Sequence, residues 1–270
     1  MLAKPIITLT TDFGLKDPFV GLMKGVILRI NPDAEIIDIT HNISRHNIFE
    51  ASQIISMSCR YFPPTTIHVV VIDPSVGGER RPLLVITEDF YFIGPDNGLF
   101  TPIYEEFQSS FFRVMHLTAS HYFLPINGPT FHARDVFAPA AAWLSKGIDV
   151  YKFGEQITDY VTIPSTRAKI EGGIIKGNAI SIDIFGNVAT NITTGIMTKL
   201  SPDIAKSRYR VKYKGAELPL VRYYADPNAS GQGLSAVINS FGRLELFVYK
   251  ENAASKYNVN IGDSVEAELI

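Results

Sequence analysis

Residues 67–81 read IHVVVIDPSVGGERR. The run Val69 to Ile72 is four apolar β-branched residues, the composition of a strand buried on both faces, and such strands belong to the layered sheets of α/β proteins. The run stops on an acid, Asp73. A Pro-Ser-Val-Gly-Gly stretch follows and then two arginines, Arg80 and Arg81. Glycine tolerates the backbone conformations of a tight turn, so this spacing brings an arginine back towards the acid. Ligands of open α/β sheets bind beyond the carboxyl ends of the strands, which makes the same stretch a clue to both fold and site.

Outward from this strand, the first half of the chain alternates strand-like and helical patterns. Pro5 to Thr11 reads as a strand. Asp17-Pro18 is expected to cap a helix in which Phe19, Leu22, Met23, Val26, Ile27 and Ile30 keep helical spacing, ended by Asn31-Pro32. The strand-like AEIIDIT, a helical stretch from about Asn47 to Tyr61, the strand Ile67 to Asp73, a strand at Leu83 to Thr87 and a helical DVFAPAAAWLSKG follow. This order predicts an α/β N-terminal domain over 1–165, a layered, mostly parallel sheet flanked by helices. A linker is expected at about 158–171. Beyond it, IEGGIIKG, AISIDIFGNVATNI, RYRVKYKG, LSAVINS, RLELFVYK and DSVEAELI are short, often alternating and punctuated by glycine, so 172–270 is expected to be an all-β, barrel-like C-terminal domain.

Composition narrows the function classes. The 270 residues are 46% hydrophobic and 19% charged with a formal net charge of −2, and that lacks the basic surplus of nucleic-acid binders. Cys59 is the single cysteine, so neither an internal disulfide nor a thiolate zinc site is available. No secretory leader or 18-residue apolar span is recognisable. The expectation is a cytoplasmic protein with no membrane and no nucleic-acid partner. His116 and His121 have no carboxylate cluster beside them, so no metal site is expected. GQGLSA at 231–236 matches a dinucleotide fingerprint formally but has the wrong flanks, and the hydrolase elbow and the phosphate-binding loop are missing.

Several residues carry possible chemistry. Asp12, Asp38 and Asp73 fall at or near strand ends, where an acid serves either a ligand or simply a turn. GPDNGLF at 94–100, GPTFHARDVFAPAAA at 128–142 and DIFGNVATNI at 183–192 are further clusters. In the second, Asp135 is expected as a helix N-cap, with His132 in the loop before it.

Six segments in order resemble the S-adenosyl-L-methionine (SAM) hydroxide adenosyltransferases, enzymes that release adenosine and methionine from SAM and are related to fluorinases and chlorinases. They are TDFG at 11–14 with DPFVGLMKG, then DPSVGGERR, GPDNG, TFHARDVFAPAAA, DIFGN and NSFGRLE at 239–245. The resemblance implies the same two-domain fold and a homotrimer with its sites at subunit interfaces. SAM is then the substrate, with no cofactor and no metal. It assigns catalysis to Asp73, Arg80 and His132, and the ribose hydroxyls to Asp12. Asp183 falls to the methionine ammonium, Asn187 to the adenine edge, Ser240 to the methionyl carboxylate and the backbone near Ala253 to adenine. Where halogenases carry a tyrosine and a halide-binding serine, this chain has Asp73 and Ala133, which points to water rather than halide as nucleophile. His46 stands where halogenases place a tryptophan, and Arg81 is expected only as a solvated charge. A halogenase and a SAM- or adenosine-binding sensor without turnover remain the alternatives at this level.

Overall fold

The computed structural model describes residues 4–108, 110–125, 128–165, 167–204, 207–229 and 233–270. The first two residues of GQGLSA and residue 166 of the expected linker lie outside them. The chain divides into two compact units, Met1–Pro164 and Ser165–Ile270.

The first unit is a layered α/β structure. Its elements are β1 (Ile6–Thr11), α1 (Phe19–Ile30), β2 (Glu35–Thr40), α2 (Ile48–Ser58), β3 (Ile67–Val71), β4 (Pro82–Thr87), β5 (Tyr91–Pro95), α3 (Thr101–Phe107), β6 (Phe112–Leu117), α4 (Ala138–Ser145) and β7 (Gly154–Ile157). Among the described residues the sheet order is β2-β1-β3-β5-β4-β6-β7. β2, β1, β3 and β5 run parallel, and β4, β6 and β7 add an antiparallel half. Every residue of β3 is buried. Val69 and Val71 enter the layer formed with Met23 and Ile27 of α1 and the alanines of α4, whereas Val70 and Ile72 enter the layer with Ala51 and Ile55 of α2 and Ile103 of α3. That two-sided burial is why β3 reads as unbroken apolar sequence.

α1 begins one residue later than its sequence suggests. Pro18 takes the N-cap position with no side-chain cap bond, so Asp17 is not the cap; proline's fixed φ suits the helix entrance. Asn47 does cap α2, accepting from the Glu50 amide. No described helix is long and apolar enough to cross a membrane.

The second unit is built mainly of strands: β8 (Lys169–Glu171), β9 (Ile174–Ile182), β10 (Val188–Thr193), β11 (Tyr209–Tyr213), β12 (Ala216–Leu218), β13 (Leu220–Val221), β14 (Leu234–Ile238), β15 (Arg243–Val248) and β16 (Ser264–Leu269), with short helices α5 (Thr194–Met197) and α6 (Ala253–Tyr257). The order is β12-β11-β16-β9-β10-β15-β14-β13, with β8 on β9. The two ends of this sheet approach, β11 near β13 and β12 near β14, so it curls into a nearly closed barrel. Alternating residues such as Val211 and Val265 fill its interior. β8 starts inside the stretch expected as linker. The preceding residues are tied to the first unit, with the Val161 amide on Asp96 at 2.8 Å and the Ile163 amide on Thr101 at 3.0 Å.

Candidate active site

β3 carries the chain to Asp73, and a tight turn reverses it. The Val76 amide donates to the Asp73 carbonyl at 3.3 Å and the Gly78 amide to the Ser75 carbonyl at 3.0 Å. Gly77 has φ +80, and a Cβ there would overlap the Pro129 carbonyl oxygen, so the turn requires glycine. Asn97 of GPDNG donates from Nδ2 to the Ile72 carbonyl at 2.9 Å and so pins the strand end just before the acid.

Arg80 returns onto Asp73 as the spacing predicts. Its Nε lies 3.0 and 2.9 Å from the two carboxylate oxygens, and its Nη2 also donates to Oδ2. Both side chains are 5% exposed. A buried pair of this kind holds its charges only because each satisfies the other. The same Nη2 reaches His132 Nδ1 at 2.7 Å. Guanidinium has no acceptor, so Nδ1 must accept, and the neutral ring carries its proton on Nε2. Burial pushes the His132 pKa below its ordinary value and the Arg80 charge pushes it further, against opposing pulls from Asp73 and Asp135. The imidazole is therefore neutral at pH 7.

His132 is not in a loop. It opens a helical segment whose next residues, Ala133–Phe137, form a π turn that runs into α4. Asp135 consequently lies inside the π turn rather than at an N-cap. It is 1% exposed and bonded at both oxygens by Arg134, at 2.6 and 2.8 Å. A π turn inserts an extra residue per turn and so re-aims the side chains before it, a device common at functional sites.

Asp73 and His132 line a cavity of about 660 Å³ with Phe13, Phe19, Phe131 and Ala133. Arg80 does not line it and acts from behind. The three phenylalanines meet edge to face, with centroids 5.2–6.0 Å apart. Asp12 follows β1, whose Thr11 pairs with Val71 of β3, so Asp12 and Asp73 leave the carboxyl ends of neighbouring parallel strands. One oxygen of Asp12 accepts the His46 amide at 2.9 Å. His46 itself has φ +64, a left-handed conformation that histidine visits more readily than most residues.

The other sequence-level candidates separate. Asp38 lies within β2, bonded to Lys24 at 2.6 Å and 3.1 Å from His41; it supports structure. Arg81 is no solvated charge. It grips Asp96 at 2.9 and 2.7 Å, and Asp159 by both its side chain and its carbonyl, each at 2.8 Å. It thereby clamps the last stretch of the first unit.

In the second unit, Asp183 is turned onto its own loop. It accepts the amides of Phe185 and Asn187 at 2.9 and 2.8 Å and the Asn187 side-chain amide at 3.1 Å. Gly186, at φ +83, packs against Asn252, and its carbonyl accepts the Ala254 amide at 3.0 Å. Ala253 is buried beside this junction. A cavity of about 470 Å³ is lined there by Phe185, Asn187, Tyr224, Phe247 and Asn252, among others. Ser240 does not line it and sits exposed in the turn after β14. Sequence reading missed Tyr224 and Glu245. The Tyr224 hydroxyl donates to Glu245 at 2.6 Å, and Asn239 donates to the other oxygen at 2.8 Å. Burial, then the Glu245 carboxylate, raises the Tyr224 pKa. The signal available was an acid set between Leu244 and Leu246, which needs buried partners.

A two-unit α/β and barrel-like chain with an acid, arginine and histidine gathered beyond the carboxyl end of β3 defines a class that comparison with known proteins makes specific. The chain belongs to the SAM hydroxide adenosyltransferase family, whose N-terminal domain matches residues 7–154 and whose C-terminal domain matches residues 177–266. It is 35% identical over 268 residues to the (R)-S-adenosyl-L-methionine hydrolase of Methanocaldococcus jannaschii, covering 97% of this chain and 95% of that one. A crystal structure of an uncharacterized conserved protein from Thermotoga maritima superposes with a TM-score of 0.86 at 34% identity, covering 97% and 99% of the two chains. The fluorinase of an Actinoplanes species is more distant, at 26% identity over 97% of this chain and 96% of that one.

Proposed function

We propose that this enzyme hydrolyses SAM to adenosine and L-methionine by attack of water at the ribose C5′. The observation that carries the reading is the Asp73–Arg80–His132 cluster, two of whose members, Asp73 and His132, line a cavity walled largely by apolar side chains. Water is a poor nucleophile until it loses a proton. His132 presents Nε2–H and so holds the attacking oxygen as a donor, which leaves Asp73 as the group that takes the proton. Arg80 satisfies Asp73 and Nδ1 together, fixing both groups before substrate arrives. As the oxygen–carbon bond forms, the carbon–sulfur bond breaks and its electron pair stays on sulfur. The sulfonium thus departs as a neutral thioether and needs no acid, and the chemistry calls for no metal or cofactor.

For binding, Asp12 offers an oxygen to the ribose diol. The turn from Asp183 to Asn187 presents the Asn187 side-chain Oδ1, an acceptor suited to the adenine amine. Because Asp183 is engaged by its own turn, we assign it the holding of that turn as well as attraction of the methionine ammonium. The backbone at Ala253 completes the adenine contact and Ser240 meets the methionyl carboxylate. The working assembly is a cytoplasmic homotrimer in which sites form at subunit interfaces; light scattering should return three chains per particle, and a monomer active at every dilution would refute it.

The test of the reaction is turnover of SAM in H₂¹⁸O. The expected product is adenosine with the label on its 5′ oxygen, also when chloride or fluoride is present. Unlabelled adenosine would exclude direct displacement by water, a 5′-halo product would make the enzyme a halogenase, and SAM recovered intact would make it a sensor.

A further inference from the structure

Asp12 sits in a turn held by a chain of side chains, Lys24, Asp38, His41 and Thr11. Lys24 Nζ donates to Asp38 Oδ2 at 2.6 Å. Asp38 Oδ1 lies 3.1 Å from His41 Nε2. His41 Nδ1 lies 2.8 Å from the Thr11 hydroxyl, and that hydroxyl accepts the Phe13 amide at 3.3 Å. The donors and acceptors admit one consistent arrangement for a neutral ring: Thr11 O–H gives its proton to Nδ1, and Nε2–H faces the carboxylate. Burial pushes the Asp38 carboxyl up, and the hydrogen bonds from Lys24 and His41 outweigh it, leaving it below the usual carboxylate range. His41 also grips the far side of the turn, because its carbonyl accepts the Gly14 amide at 2.8 Å. It is 4% exposed and does not line the cavity.

We propose that His41 is a positioning residue for the nucleoside site: it clamps the turn Thr11 to Gly14 from both ends and so fixes the Asp12 carboxylate on the ribose diol. The inference rests on the assignment of Asp12 to the ribose. Its physical content is that one Asp12 oxygen is occupied by the left-handed His46 amide while His41 holds the Thr11 hydroxyl before Asp12 and the Gly14 amide after it. Rotation of the carboxylate away from a bound diol is thereby blocked. The contribution is to binding, since His41 touches neither the attacking water nor the sulfonium.

Binding of adenosine and of 2′,3′-dideoxyadenosine, measured by calorimetry on the full chain, separates the possibilities. His41→Phe keeps an aromatic ring without its nitrogens, and Thr11→Val removes the hydroxyl at the other end of the bond. Both should bind adenosine about tenfold more weakly and dideoxyadenosine within twofold of the parent, with kcat at saturating SAM within twofold. His41→Asn, which can place an amide oxygen near the position of Nδ1, should recover most of the adenosine affinity. Equal losses for both nucleosides, or no loss in either variant while Asp12→Asn loses adenosine, would overturn the role of His41. An Asp12→Asn variant that binds adenosine like the parent would instead refute the ribose assignment, and the inference with it.

Discussion

In the first unit the candidate side chains bond to one another: Asp73 and Arg80 form a charged pair that is almost fully buried, and Arg80 reaches across the chain to the half-buried, neutral His132. In the second unit the corresponding loop is local, since Asp183 bonds to Phe185 and Asn187 within its own turn. All six histidines of the chain lie in the first unit. A site assembled from buried charges can shift pKa values and hold a nucleophile, whereas a turn closed by backbone bonds presents groups of fixed geometry for recognition. On the proposed function the two units divide the labour, chemistry in one and much of the substrate contact in the other. Substitutions in the Asp73–Arg80–His132 cluster should move kcat, whereas substitutions in the turn from Asp183 to Asn187 should move KM.

The sharpest break is Asp73→Asn. It keeps the shape of the side chain and removes the proton acceptor, so kcat should fall about a thousandfold, roughly 4 kcal/mol on the barrier, with SAM affinity little changed. Single-turnover rates and calorimetry would check both halves. A variant that turned over like the parent would move the chemistry away from Asp73.

Acid should distinguish the units next. His68 on β3 is fully buried among Phe62, Phe90 and Phe92, bonded at Nδ1 to Thr8 at 2.7 Å, and burial pushes its pKa from 6.5 down to about 3. Between those values the unfolded chain binds a proton that the native chain does not. Stability therefore falls as pH drops through this window, by about 2.5 kcal/mol between pH 7 and pH 4.5. Urea unfolding at pH 7 and pH 4.5 should show a loss in the parent that is much reduced in His68→Phe, although that variant will be weaker at pH 7 for want of a partner to Thr8.

Neighbouring arginines supply a third contrast. Arg81→Ala strands the buried Asp96 carboxylate and releases Asp159, and breaking a pair with a buried member should cost about 3 kcal/mol of stability. Turnover at a temperature where the variant is folded should be unchanged. A large fall in kcat would mean that Arg81 serves the reaction as well.

Such contrasts show which parts were legible in the sequence. Asp73 and Arg80 could be read because an apolar strand, an acid and a glycine turn are adjacent in the chain, and β3 displays its two-sided burial in its composition. Arg81 could not be read, because its partners Asp96 and Asp159 are distant and nothing local distinguishes a clamp from a solvated charge. Asp135 was misplaced for a subtler reason: a π turn keeps helical composition while shifting register, so a residue that looks like a cap lies inside the helix. Asp38 resembled a strand-end ligand until the fold brought Lys24 and His41 to it. The Tyr224–Glu245 pair joins the turn after β13 to β15, and no local pattern links the two.

The smallest effect tests the recognition side of the comparison. At Gly186, alanine would have to adopt φ +83 and its Cβ would overlap the Asn252 side chain, which caps α6 by accepting the Ser255 amide at 2.7 Å. The junction between the turn from Asp183 to Asn187 and the loop before Ala253 must then open. Gly186→Ala should raise KM for SAM about tenfold, some 1.4 kcal/mol, and leave kcat within twofold. Gly215 is the matched control, because it has φ +79 with open space around it, so Gly215→Ala carries the backbone strain, about 1 kcal/mol, without the collision. If both variants lose stability and only Gly186→Ala loses substrate, the contact with Asn252 is what shapes the recognition loop. A fall in kcat with KM unchanged in Gly186→Ala would instead put part of the chemistry in the second unit and dissolve the division between the two.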